Sequence, residues 1–120
     1  MARVELIFFM EADGSVPLVQ WLDSLQMKAR EKCYVRLERL EEEGHAEADY
    51  LGDGIDELRA KHLGLNHRML YFFHGRAAVV VSHGLTKQEA RVPEREIRVA
   101  LLKKKAFEFA PSRHSFKPEG

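Results

Sequence analysis

The sequence has one cysteine, four prolines and one tryptophan, and no apolar run near the ~18 residues that a membrane helix requires. Cys33 alone cannot form an internal disulfide, which suits a reducing cytoplasm, and its place in a helical pattern reads as a small buried hydrophobe. The N-terminal MARVELIFFMEADG has its apolar run broken by Glu5 and lacks the apolar region and small-residue cleavage site of a secretory signal. Net charge is also missing: 19 Lys and Arg balance 19 Asp and Glu. That balance hides an asymmetry. Residues 1–57 carry 6 Lys/Arg against 14 Asp/Glu, and residues 58–120 carry 13 against 5. Five of the six histidines lie in the basic half. Such a split hints at a face for polyanions.

At 120 residues the chain suits one domain with one sizeable core. Val4–Phe9 has strand composition. Ser15 followed by Pro17 suits a helix start, and Leu18, Trp21, Leu22 and Leu25 then fall at helical spacing. A longer helix follows from Met27 to Glu43. Met27, Arg30, Cys33, Tyr34, Leu37 and Leu40 line its inner face, and Gly44 is its C-cap. The two helices form a hairpin. An acidic connection, EEEGHAEADYLGDG, leads to three strands at about Asp56–His62, His67–Phe73 and Ala77–His83. Their short loops make an antiparallel meander. A loop from Gly84 to Val92 precedes a final helix with Pro93 at its first position. The predicted fold is α+β: a small antiparallel sheet, the N-terminal strand plus the meander, packed against the hairpin and the last helix. Residues 1–110 form the domain and 111–120 a flexible tail.

Cations gather at the meander's ends. Arg59 and Lys61 share one side of their strand, because side chains alternate with period two. Arg68 opens the next strand, His83 closes the third, and Lys87 lies just beyond. In an antiparallel sheet the start of one strand lies near the end of its neighbour. Arg59, Lys61, Arg68, His83 and Lys87 can therefore build a cationic groove suited to a phosphodiester, Arg clamping phosphate and Lys adding a point charge. His62 and His67 have a spacing found in some zinc sites. They lack a Cys pair, and no carboxylate lies between His62 and His83, so no metal is expected. Trp21, Phe8, Phe9, Phe72 and Phe73 read as core. Tyr71 is the aromatic to watch, because its parity differs from that of Arg68 and places it on the opposite side. His67, His74 and Arg76 read as turn and surface residues, His45 and His114 as solvated loop and tail, and Lys103–Lys105 as a solvated helix end.

Gly54, Glu57-Leu58-Arg59, Arg68 with Tyr71–Phe73, Val79–Val81, His83-Gly84, Lys87, Pro93 and Ala100 together resemble the pattern of the phage-derived, HigB-type host toxins of the RelE superfamily. The sequence departs from it at Leu85, where the family has an aromatic, and at Gln88, where it has a second lysine. The resemblance implies a RelE-like fold and the toxin half of a type II toxin–antitoxin pair. It implies a metal-independent mRNA endoribonuclease with no cofactor, acting on ribosome-bound mRNA by attack of the ribose 2′-OH. Its partner would be a cognate antitoxin, a helix-turn-helix DNA-binding protein. On this reading Arg59 and Arg68 clamp the phosphate, Lys87 assists, and His83 moves the proton, as its ordinary titration near neutrality suits. Lys61, His62 and Tyr71 contact RNA. The alternatives are a ParE-like inhibitor of DNA gyrase and a degenerate toxin acting as a binding module.

Overall fold

The structure, a computed structural model, describes residues 3–44, 48–87 and 91–118. Among them are three α-helices and six strands, in the order β1 (Glu5–Phe9), α1 (Pro17–Asp23), α2 (Met27–Glu43), β2 (Asp49–Gly52), β3 (Ile55–His62), β4 (Leu65–His74), β5 (Ala78–Lys87), α3 (Glu94–Phe109) and β6 (Ser115–Phe116), with a 3₁₀ turn at Pro111–His114. The α+β class agrees with the sequence reading. The strands form one sheet in the order β2-β3-β4-β5-β1-β6. All pairs are antiparallel except β1 with β5, where Glu5–Phe8 run parallel to Ala78–Val81. The sheet is therefore mixed rather than wholly antiparallel.

Helices cover both faces. On one face α1 and α2 pack Leu18, Leu22, Cys33, Leu37 and Leu40 against Leu58, Met69, Tyr71, Val79 and Val81. On the other α3 packs Ala100 and Phe107 against Ile55, Leu70, Phe72, Val80 and Leu85. The central strand β4 is buried on both sides, which is why its middle, Met69–Phe73, reads as a continuous apolar run rather than an alternation. The aromatic core expectation holds: Phe8, Phe9 and Phe72 are buried, and Trp21 and Phe73 pack at the margin.

Other boundaries differ from the sequence reading. The inner stripe of α2 is Ala29, Cys33, Leu37 and Leu40, while Met27 and Tyr34 are exposed. Arg30 instead ties the hairpin, its Nε and Nη2 donating to the carbonyls of Leu22 and Leu25, both at 3.0 Å. Ser15 does not cap α1; its N–H and Oγ–H both bond Asp13 Oδ1, and Val16 is the N-cap. Gly44 does end α2, at φ 77°, where a left-handed backbone favours glycine. Part of the acidic connection forms β2. Pro93 is the N-cap of α3 rather than its first residue. Within the expected tail, Pro111–Phe116 is built into the fold, since β6 pairs with β1 and His114 stacks on Phe9 at 4.9 Å and bonds the Met10 carbonyl. His45 and Gln88 lie outside the described residues.

Candidate active site

Residues directly opposite each other on paired strands share a face of the sheet. Arg59 pairs with Arg68, and Arg68 with Leu85; Lys61 pairs with Asn66, and Asn66 with Lys87; Glu57 pairs with Leu70, and Leu70 with His83. Nine side chains from three strands thus form three cross-sheet rows on the α3 face. For β5 this placement depends on one irregularity. Tyr71 pairs with Val81 but Leu70 with His83, so Ser82 is an extra residue in β5. This β-bulge reverses the alternation after it. Without it His83, Leu85 and Lys87 would follow Val79 and Val81 onto the α1–α2 face. β5 also runs on to Lys87, through residues that the sequence reading gave to a loop.

Two arginines side by side repel, and Glu57 answers them. Its Oε2 accepts from Arg68 Nη1 at 2.9 Å and its Oε1 from Arg59 Nη2 at 3.0 Å. Arg68 and Glu57 are each 1 % exposed at the side chain, whereas Arg59 is 36 % exposed and also reaches Asp49 at 3.4 Å. A charge as deeply buried as Arg68 is tolerated only when paired and hydrogen-bonded. The accessible cations of the set are Arg59, Lys61 and Lys87, with Arg68 beneath them.

His83 is held at both ring nitrogens. Nε2 lies 2.9 Å from Glu96 Oε1 on α3, and Nδ1 lies 2.7 Å from Ser82 Oγ. A carboxylate can only accept, so Nε2 carries the proton and Nδ1 accepts from the Ser82 hydroxyl. Burial pushes the imidazole below its ordinary pKa, against the opposing pull of Glu96. His83 therefore favours the neutral form more than its residue type alone suggests.

The remaining candidates fall elsewhere. Tyr71 is fully buried on the α1–α2 face, and burial raises its hydroxyl pKa, with Asp56 adding to the effect. It is not beside Arg68. His62 lies one position out of phase with Arg59 and Lys61, so it projects from the opposite side. His67, expected at a surface turn, is buried, with Nδ1 3.0 Å from Thr86 Oγ1 and its ring 6.2 Å from Trp21. Gly84 faces the Trp21 ring so closely that a Cβ there would overlap it, so the Gly of the His-Gly pair has a packing reason. Among the described residues no cluster of three His, Cys, Asp or Glu side chains could hold a metal ion, and no helix is long and apolar enough to cross a membrane.

Sequence reasoning missed Ser82 and Glu96. The doublet of a small polar residue and His after five apolar residues is the only local trace of the bulge. Glu96 lies thirteen positions from His83 on another element, so no local pattern marks their contact. Glu57 has no assigned role in the sequence reading, although its period-two spacing puts it on the same side as Arg59.

A family model described as phage-derived protein Gp49-like (DUF891) matches residues 20–105. The match runs from α1 into α3 and takes in the whole cross-sheet cluster. No curated protein matches the chain at a significant level. With well over half its length matched, the chain belongs to the Gp49-like family of phage-derived proteins, which falls within the RelE-like type II toxins.

Proposed function

We propose that this protein is a HigB-type toxin of a type II toxin–antitoxin pair, cleaving mRNA on the ribosome without a metal. The observation that carries the reading is the set of Arg59, Lys61, Arg68 and Lys87 on one sheet face beside His83. Cleavage by the 2′-OH builds negative charge on the phosphorane oxygens, and fixed cations around a phosphate stabilise that charge. Arg59 and Lys87 are the groups that reach phosphate. Arg68, tied to Glu57, fixes Arg59 and adds a positive field from below. His83 takes the proton of the 2′-OH at Nε2, which requires that nitrogen to leave its present partner with its own proton moved to Nδ1, where the Ser82 oxygen accepts it. Glu96, 21 % exposed, is the one that can give way, because Ser82 is fully buried. Lys61 steadies the strand on either side of the cut. Family membership is compatible with a toxin and implies an antitoxin; the proposed antitoxin is a small helix-turn-helix protein. His62 and Tyr71, expected at the RNA, project from the other face and are left out of the mechanism.

The test is primer-extension mapping of mRNA after induction. The wild type should give discrete cuts and growth arrest. Arg59→Ala and Lys87→Met should each slow cutting, by roughly a hundredfold if the cation acts on the transition state. Both side chains are partly exposed, so these variants should fold. A second reading, a binding module without nuclease activity, draws on the burial of Arg68 and the double engagement of His83. Antitoxin binding with neither cuts nor arrest would establish it, and an SOS response without cuts would instead point to gyrase.

A further inference from the structure

A second cationic feature lies beside the sheet's α3-side cluster. On α2, Lys32, Arg36 and Arg39 recur at i, i+4 and i+7 and so share one helix face. That face looks onto β3. Arg36 Nε donates to the Arg59 carbonyl at 2.9 Å, and Lys32 Nζ to the Lys61 carbonyl at 3.3 Å. Between the two elements runs a cleft of about 580 Å³. The described residues lining it are Lys32, Val35, Arg36, Arg39, Asp49, Arg59, Ala60 and Lys61. Five are cations and one is a carboxylate. The helix wall from Lys32 to Arg39 spans about 10 Å at 1.5 Å per residue.

Two bland roles account for part of this. Arg36 and Lys32 cover carbonyls of β3, which β2 pairs only as far as Glu57, and covering an edge discourages unwanted strand pairing. A bond to one carbonyl uses one of the three donors of the Lys32 ammonium. Arg39 and Lys32 remain exposed at the rim, and Arg59 and Lys61 belong to both the cleft and the proposed active site. An acidic amphipathic helix would need an apolar stripe to lie on, and the cleft offers Val35 and Ala60 alone.

We propose that this cleft binds the phosphodiester backbone of single-stranded RNA, continuing the strand held at the sheet cluster, with Lys32, Arg36 and Arg39 as binding residues outside the chemistry. The inference rests on the nucleic-acid reading of that cluster. Arg59 is the junction, so a strand passing from one site to the other stays in contact with fixed positive charge.

The experiment measures binding of fluorescein-labelled oligouridylate to the full chain by anisotropy over a range of salt. The double variant Lys32→Ala/Arg39→Ala leaves Arg36 and its bond to β3 in place, and a thermal melt checks its fold. Binding should weaken roughly threefold to tenfold, and the slope of log K against log salt should fall by about 1.4, since each lost single-strand phosphate contact removes about 0.7. An unchanged affinity and slope in the folded variant overturns the proposal. So does loss of polyglutamate binding with oligouridylate unaffected, which would assign the cleft to an acidic protein. If the variant melts early, the charge-preserving Lys32→Arg/Arg39→Lys must bind as the wild type does, and failure there also overturns it. Salt-dependent oligouridylate binding that needs Lys32 and Arg39, without mRNA cuts on induction, sinks the nuclease reading and leaves the cleft standing.

Discussion

Arg68 donates from Nη1 to Glu57 Oε2 at 2.9 Å with both side chains 1 % exposed, while the other oxygen of the same carboxylate holds Arg59. One buried acid thus neutralises two arginines that face each other across β3 and β4. The pair is the foundation of the cluster, because it holds Arg59 at the surface while Arg68 stays below.

Removing that carboxylate should therefore damage stability before chemistry. Glu57→Gln keeps the shape but removes the buried charge that Arg68 Nη1 bonds. Breaking one side of a buried pair costs about 3 kcal/mol, which for a domain of this size lowers Tm by roughly 10 °C. Thermal unfolding of the variant beside the wild type measures it; a change under a couple of degrees would refute the buried-pair account.

Gly84 should not tolerate a methyl group. A Cβ there meets the six-membered ring of Trp21, and that ring packs among the core residues of α1. Gly84→Ala should cost about 1–3 kcal/mol by overpacking. Trp21 is the only tryptophan, so its emission should shift in the folded variant, reporting the displacement directly.

Stability should fall with acid through His83. Burial lowers its pKa in the folded state below the ordinary 6.5, so the unfolded chain binds more protons in the interval between the two values. The neutral-imidazole contribution is complete above about 6.5 and is lost as pH drops below it. Buried His67 shifts in the same direction, chiefly by desolvation. Tm measured downward from roughly pH 8 should decline in this window, and His83→Gln should remove part of the slope. A pH dependence identical in wild type and variant would exclude His83 as a source.

Cys33 should be chemically silent in the native protein. It is fully buried in the α1–α2 core, and desolvation pushes its thiol pKa up to about 11. Nucleophilic reagents attack the thiolate, so Ellman's reagent at mildly alkaline pH should react only after denaturant is added. Rapid stoichiometric reaction with the folded chain would contradict the packing of α2.

Much of the architecture was legible because periodicity reports which face of an element is buried. The helix hairpin, the meander and the last helix all carried clear apolar spacing, and Pro17 and Gly44 punctuated them as the backbone requires. The parallel seat of β1 beside β5 was not legible, since an apolar strand looks the same whichever way it pairs. Nor was β6, whose two residues are placed by contact with β1 and by the stacking of His114 on Phe9 rather than by any local preference.

The chemistry divides in the same way. Residue type and period two were enough to put Arg59 and Lys61 on one side of a strand and to single out Arg68, His83 and Lys87. Whether those last three share that side was decided by one extra residue, Ser82, because a shift of one reverses every side chain beyond it. The charge of His83 is set by burial, which holds its pKa below the ordinary value against the opposing pull of Glu96, thirteen positions away. Local sequence determines what groups a chain can offer; depth and cross-strand register, which depend on distant partners, determine which of them meet and in what charge state.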